Sequence, residues 1–165
     1  MYKKIMRLTL VCLLMFVLSG CGSEKKPDIQ LSVEVNHLTD EEYSFVGTSG
    51  IENPNKIDFR VFLFKLRIDN LDNVSDRSVV VPRFEAAFNQ FDGEHRLWFG
   101  NALEQNNDSE DFAIFEKNYT VFVRGLDEKD FRDMLGEFNV ECSWKNAEGV
   151  NETQTFNLAE ELVFN

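Results

Sequence analysis

Cysteine, histidine and positive charge are all scarce in this chain of 165 residues, and each scarcity removes a class of function. The three cysteines are Cys12, Cys21 and Cys142. Two of them belong to the start of the chain, so the remainder holds a single thiol and must be stabilised by packing rather than by disulfides. His37, His95 and Cys142 are the whole later supply of imidazole and thiol ligands. A zinc site needs three or four such groups, so no metal or cofactor is expected. Lysine and arginine number 17 against 29 aspartates and glutamates, a formal charge of −12. That balance repels nucleic acid and anionic lipid head groups, which associate through basic residues.

Catalytic signatures are missing as well. Ser49, in Gly47-Thr48-Ser49-Gly50, lacks the G-x-S-x-G elbow, and no glycine-rich phosphate loop or H-E-x-x-H occurs. The alternation around Cys142 aims its thiol inward, away from the exposure and base that a nucleophilic thiolate requires. Carboxylates are so frequent that no pair stands out as the acid and base of a hydrolase. Catalytic residues are therefore expected to be none.

A membrane-length apolar run is absent too. Lys3, Lys4 and Arg7 precede Leu8 to Leu18, eleven mostly apolar residues where a span needs about 20. The pattern predicts an export signal. It ends in Leu18-Ser19-Gly20-Cys21, which resembles the lipobox of bacterial lipoproteins. That resemblance implies cleavage after Gly20 and a diacylglyceryl group on Cys21, with acyl chains such as palmitate holding the mature chain to a membrane. Cys21-Gly22-Ser23 is common in lipoproteins of Gram-positive bacteria, which implies the outer face of the cytoplasmic membrane. Residues 1–20 are then the signal peptide, 21–28 the lipidated cysteine and tether, and 29–165 one domain. The tether, GSEKKPD, reaches roughly 25 Å when extended. Losing the leader leaves 14 basic residues against 29 acidic ones, about −15.

Along the mature chain apolar residues recur at every second position, the period of a strand with one buried face. Ile29, Leu31, Val33 and Val35 alternate with polar residues, and Phe62, Phe64, Leu66 and Ile68 share one face of a second strand. Phe84, Ala86 and Phe88 extend the pattern, and Asp92-Gly93 predicts a hairpin turn into 96–99. Tyr119, Val121 and Val123 share a face, as do Phe138, Val140, Cys142 and Trp144. Further strands are expected within 153–158 and, as an edge, at 162–164. Residues 126–136 read as the one helix, with Asp127 as cap, Gly136 as stop, and Phe131, Met134 and Leu135 turned to the core. Segments 37–56 and 101–111 read as long exposed loops, and Pro82 marks an edge strand or bulge.

About seven to nine short strands with turn signals between them predict an all-β, antiparallel two-sheet sandwich, with a closed barrel as competitor. The run from Phe62 to Asn70, then Val79-Val80-Val81-Pro82 leading into FEAAFNQFDG, resembles the immunoglobulin-like domains of uncharacterised small lipoproteins of Gram-positive bacteria. It implies an immunoglobulin-like fold.

Three features invite a binding reading. Asp69, Asp72 and Asp76 cluster in one turn, and Asp108, Glu110 and Asp111 in another, offering oxygens to a hard cation without EF-hand spacing. Trp98 and Phe99, beside His95 and Arg96, offer aromatic surface at a rim where a peptide or sugar can stack, against the commoner outcome that at least one of them is buried in the core. Sequons at Asn73, Asn107, Asn118 and Asn151 are chance occurrences behind a bacterial lipobox. The expectation is a lipid-anchored extracytoplasmic binding or accessory module, touching the membrane through the lipid on Cys21, with an envelope protein as partner and no nucleic acid. The alternatives are a cell-wall enzyme using unrecognised carboxylates and a calcium-dependent binding module.

Overall fold

A computed structural model describes residues 26–165; the leader, the lipobox and residues 22–25 lie outside the described residues. The described residues form eight strands: β1 (Asp28–His37), β2 (Phe59–Asp69), β3 (Ser75–Val80), β4 (Leu97–Gln105), β5 (Ala113–Phe122), β6 (Asn139–Lys145), β7 (Asn151–Asn157) and β8 (Leu162–Phe164). Three helices interrupt them: α1 (Asp40–Ser44), α2 (Phe84–Gln90) and α3 (Glu128–Leu135). The strands form a five-stranded sheet in the order β4-β5-β2-β1-β8 and a three-stranded sheet in the order β3-β6-β7. Each sheet has two ends, so neither closes into a barrel. Every pair is antiparallel except β1 with β8, which is parallel and departs from the purely antiparallel expectation.

The two clearest alternations become the centre of the large sheet. Val33 and Val35 of β1 lie opposite Phe64 and Phe62 of β2, all fully buried. From the smaller sheet Val140, Cys142 and Trp144 join the same core. Helix α3 forms where the sequence places it. Asp127 caps it in a reciprocal box with Asp130, and Phe131, Met134 and Leu135 are buried. β3 is an edge strand that ends two residues before Pro82, and a shift in its register between Ser75 and Ser78 coincides with left-handed backbone at Asp76.

Three readings need correction. Residues 84–90 are a helix, not the first arm of a hairpin. Phe84, Ala87 and Phe88 are the buried set, spaced i, i+3, i+4, and the alternation of Phe84, Ala86 and Phe88 is a by-product of that longer period. The helix removes part of the strand pattern behind the immunoglobulin-like resemblance. Residues 101–105 are strand, because Phe99, Asn101 and Leu103 continue one face of β4. Within 37–56, Thr39 and Glu42 form a capping box that starts α1. The tether also ends sooner than expected: Asp28 already pairs with Asp69, and Lys26 donates to Glu152 at 3.3 Å.

Helix α2 places two rings on the sheet. Phe84 packs 4.9 Å from Phe62 and 5.1 Å from Phe64, and Phe88 lies 5.0 Å from Phe62. Phe88 then meets Phe131 of α3, which meets Phe164 of β8. Tilted and edge-on contacts of this kind add about 0.5–1.5 kcal/mol each beyond area burial, so the phenylalanines bind both late helices to the large sheet.

Candidate functional site

The outer face of the large sheet is polar near the chain start and apolar at the far end of β1. There Phe59, Val61 and Leu63 of β2 point outward, because Phe62 and Phe64 occupy the inward phase. Leu38 and Val46, from the segment that crosses this face after β1, bury Phe59 and Val61 in a second, smaller core. Two residues of β4, Leu97 and Phe99, face consecutive residues of β5, Val121 and Thr120, so Trp98 is an extra residue in the ladder. This bulge turns Trp98 into the second core, 5.9 Å from Phe59 and 6.1 Å from Phe122. The indole Nε1 donates to the Gly47 carbonyl at 2.6 Å and ties the crossing segment to the sheet edge.

Beside that core lies an open groove of about 280 Å³, lined by Glu42, Phe45, Val61, Phe99, Gly100, Asn101, Asn118 and Thr120. Phe45 is 74 % exposed and Phe99 43 % exposed, a large cost for aromatic surface in a single chain. Val61, Thr120, Phe99, Asn118 and Asn101 share the outer face through their cross-strand pairing. The floor therefore supplies two amides and a hydroxyl between apolar walls, the mixture with which a site fixes the orientation of a bound group.

Two guanidiniums brace this end. Arg124 donates to both Asp58 oxygens, at 3.1 and 2.7 Å, and to the Glu52 and Asn53 carbonyls. Buried Arg96 reaches both Asp92 oxygens and the Phe122 and Arg124 carbonyls. Each guanidinium also lies within 6 Å of the Phe122 ring centroid. The donated hydrogen bonds hold the Asp58 and Asp92 carboxyls below the usual carboxylate range. Glu34, Asp40, Asp76 and Glu152 shift downward as well, through hydrogen bonds from their neighbours.

The residues singled out from the sequence separate into groups. Of the two aromatic residues only Phe99 lies exposed at the groove, whereas Trp98 packs into the second core, with His95 6.1 Å from it. Arg96 is instead buried and structural. The two acidic turns meet at the chain-start end, where the Leu71 amide donates to the Asp111 carbonyl at 2.8 Å. Arg77 stands between them, donating to the Asn107 and Glu110 carbonyls and pairing with Asp108 at 3.5 Å. Asp76 pairs with Lys145, and Asp69 with Arg67. Among the described residues no three His, Cys, Asp or Glu side chains converge to hold a metal ion. Cys142 is buried, and desolvation pushes its thiol up to about 11. Among the described residues no helix is long and apolar enough to cross a membrane. Phe45, Val61 and Thr120 carried no signal in the sequence, and Asn118 only that of a sequon: strand pairing brings Val61, Asn118 and Thr120 beside Phe99, and the segment crossing after β1 brings Phe45. Compared with protein-family models, curated proteins and solved structures, the chain has no match.

Proposed function

We infer that this chain is a lipid-anchored, non-catalytic binding module of the cell envelope, built as an immunoglobulin-like sandwich of its two sheets. The observation that carries the binding reading is the groove between Phe45 and Phe99, where exposed aromatic walls flank the side-chain amides of Asn101 and Asn118. The anchor rests on Leu18-Ser19-Gly20-Cys21 and on the basic, short apolar leader before it. Cys21 carries the lipid, and Gly20 is the last residue removed. The address is the outer face of the cytoplasmic membrane of a Gram-positive bacterium, and the partner is another envelope component.

The position of the start of β1 supports a short reach. Asp28 is already in β1, and ten strand residues at about 3.3 Å each carry the chain roughly 33 Å to the end where the groove lies. A domain held at the start of β1 offers that far end to whatever approaches from outside. Conversely, the acidic turns sit at the anchored end, where anionic lipid keeps the body off the bilayer surface.

Replacing the lipidated residue tests the anchor: Cys21→Ser releases the protein to the medium or leaves the precursor uncleaved. A Cys21→Ser chain that stays in the membrane at mature size overturns it. The binding reading is tested by crosslinking in intact cells with Phe45→Ser and Phe99→Ser together. The double variant loses the partner bands of the parent while keeping its melting temperature within about 2 °C, since exposed residues contribute little to stability.

A further inference from the structure

We propose that the free edge of β4 takes up an extended segment of another protein as a sixth strand of the large sheet, and that this segment has an apolar or small-residue centre flanked by lysine or arginine. The proposal deepens the binding-module reading and rests on it, but it does not depend on the lipid anchor.

The edges of the two sheets differ in how they are protected. β8 has three residues, β3 is bulged at Asp76, and the exposed positions of β7 are Asn151, Thr153, Gln154 and Thr155. β4 has its bulge at one end, at Trp98, and runs in regular register from Phe99 to Gln105 with one charged side chain, Glu104, which Lys117 neutralises. From Phe99 to Glu104 every residue is exposed, and Leu103 is 52 % exposed. Natural sheets blunt long edges with charge, proline, bulges or a cover, because unpaired N–H and C=O groups recruit another strand. Among the described residues no cap, loop or side chain bonds the backbone of 98–105, which is engaged with β5 alone.

Both faces of this edge have room for the alternate side chains of an added strand. On the outer face they meet Phe99, Asn101 and Leu103 beside the groove bounded by Phe45. On the inner face they pass Gly100 and Ala102, whose small size leaves the surface low. That face continues into a second hollow of about 200 Å³, lined by Pro82, Phe84, Glu104, Lys117 and Tyr119 among others.

Charge selects the occupant. Asp92 and Glu94 precede the strand, Glu104 lies near its end, and Asp108, Glu110 and Asp111 follow it. Arg96, Lys117 and Arg77 neutralise Asp92, Glu104 and Asp108, which leaves Glu94 at one end and Glu110 and Asp111 at the other. A second copy paired antiparallel about Asn101 sets the acidic start of one edge against the acidic end of its mate, like charges at both corners. A strand with basic flanks places opposite charges there.

The probe is the synthetic peptide Lys-Lys-Val-Thr-Val-Thr-Val-Lys-Lys, titrated into the full chain in detergent and followed by the backbone amide NMR signals. The expected result is saturable movement of the amides of 98–105. Binding weakens at least tenfold when glutamates replace the lysines and is abolished when alternate peptide nitrogens facing β4 are methylated. Leu103→Lys, at an exposed position that leaves the fold intact, also weakens the lysine peptide at least tenfold. Absence of β4 shifts at millimolar peptide overturns the proposal. Binding indifferent to N-methylation but lost in Phe45→Ser overturns strand addition while the binding-module reading stands. Concentration-dependent dimerisation abolished by Leu103→Lys makes the occupant a second copy and overturns the basic partner.

Discussion

Gly100 stands where two strands approach too closely for a side chain. A Cβ there would fall 2.2 Å from the Asn118 carbonyl oxygen and 2.4 Å from Cδ1 of Tyr119. The tyrosine ring can swing aside, but the carbonyl belongs to the β5 ladder and moves only with the strand. Gly100→Ala is therefore expected to cost about 1–3 kcal/mol, the range for overpacking a close-packed site, read as a lower urea midpoint. Ala102→Ser, the same small addition two residues along an exposed position, is the control and leaves the midpoint within experimental error. Cys142 shows the complementary logic. Burial disfavours its thiolate, and the side chain packs in the main core from β6.

At the scale of elements, the segment between β1 and β2 is held to the end of β5 by one ion pair. Asp58 accepts both arms of Arg124 and closes a cap on the Asn55 amide, so it joins the crossing segment, the start of β2 and the exit of β5. Hydrogen bonding from Arg124 lowers the folded-state pKa of Asp58 below its unfolded value of about 3.9. The ionised form is thus favoured by folding. Its contribution is fully present above about pH 4 and is lost as pH falls through the lowered folded value. Asp58→Asn is expected to cost about 1–2 kcal/mol at pH 7, the scale of a charge-assisted hydrogen bond whose cation is partly exposed. Urea midpoints of parent and variant converge as pH falls from 5 to 2. A constant gap over that range would mean that Asp58 acts through its shape and not its charge.

Across the whole molecule the cations are nearly all spent. Of the 13 lysines and arginines among the described residues, ten sit in ion pairs, leaving Arg60, Lys65 and Arg83. The excess carboxylates therefore face solvent and repel one another, which destabilises the compact state. Most of the pairs have an exposed partner and are worth under about 1 kcal/mol each, so screening them loses little. Screening the excess gains more, and raising sodium chloride from 10 to 300 mM is expected to raise Tm by about 2–5 °C. A fall in Tm over that range would show that the pairs outweigh the net repulsion.

By itself the sequence determined the strands with one buried face. Val33 and Val35, Phe62 to Ile68, and Val140 to Trp144 keep their phase because a slip of one residue would turn an entire apolar set outward. It determined α3 as well, since Asp127, Asp130 and Gly136 act on the helix ends locally. It singled out Phe99 as exposed aromatic surface beside Trp98, which the structure packs inward. Only the tertiary structure decided α2, where Phe84 and Phe88 fit both periods and the rings of Phe62 and Phe64 select the helical one. The groove and the free edge were decided in the same way. Val61, Phe99 and Asn118 are distant in sequence and meet through the order β4-β5-β2, Phe45 reaches them from the segment that crosses the sheet, and whether a strand stands at an edge depends on which neighbour is missing. Local chemistry writes periods and caps into the chain, whereas adjacency between strands arises from long-range pairing that no single segment encodes.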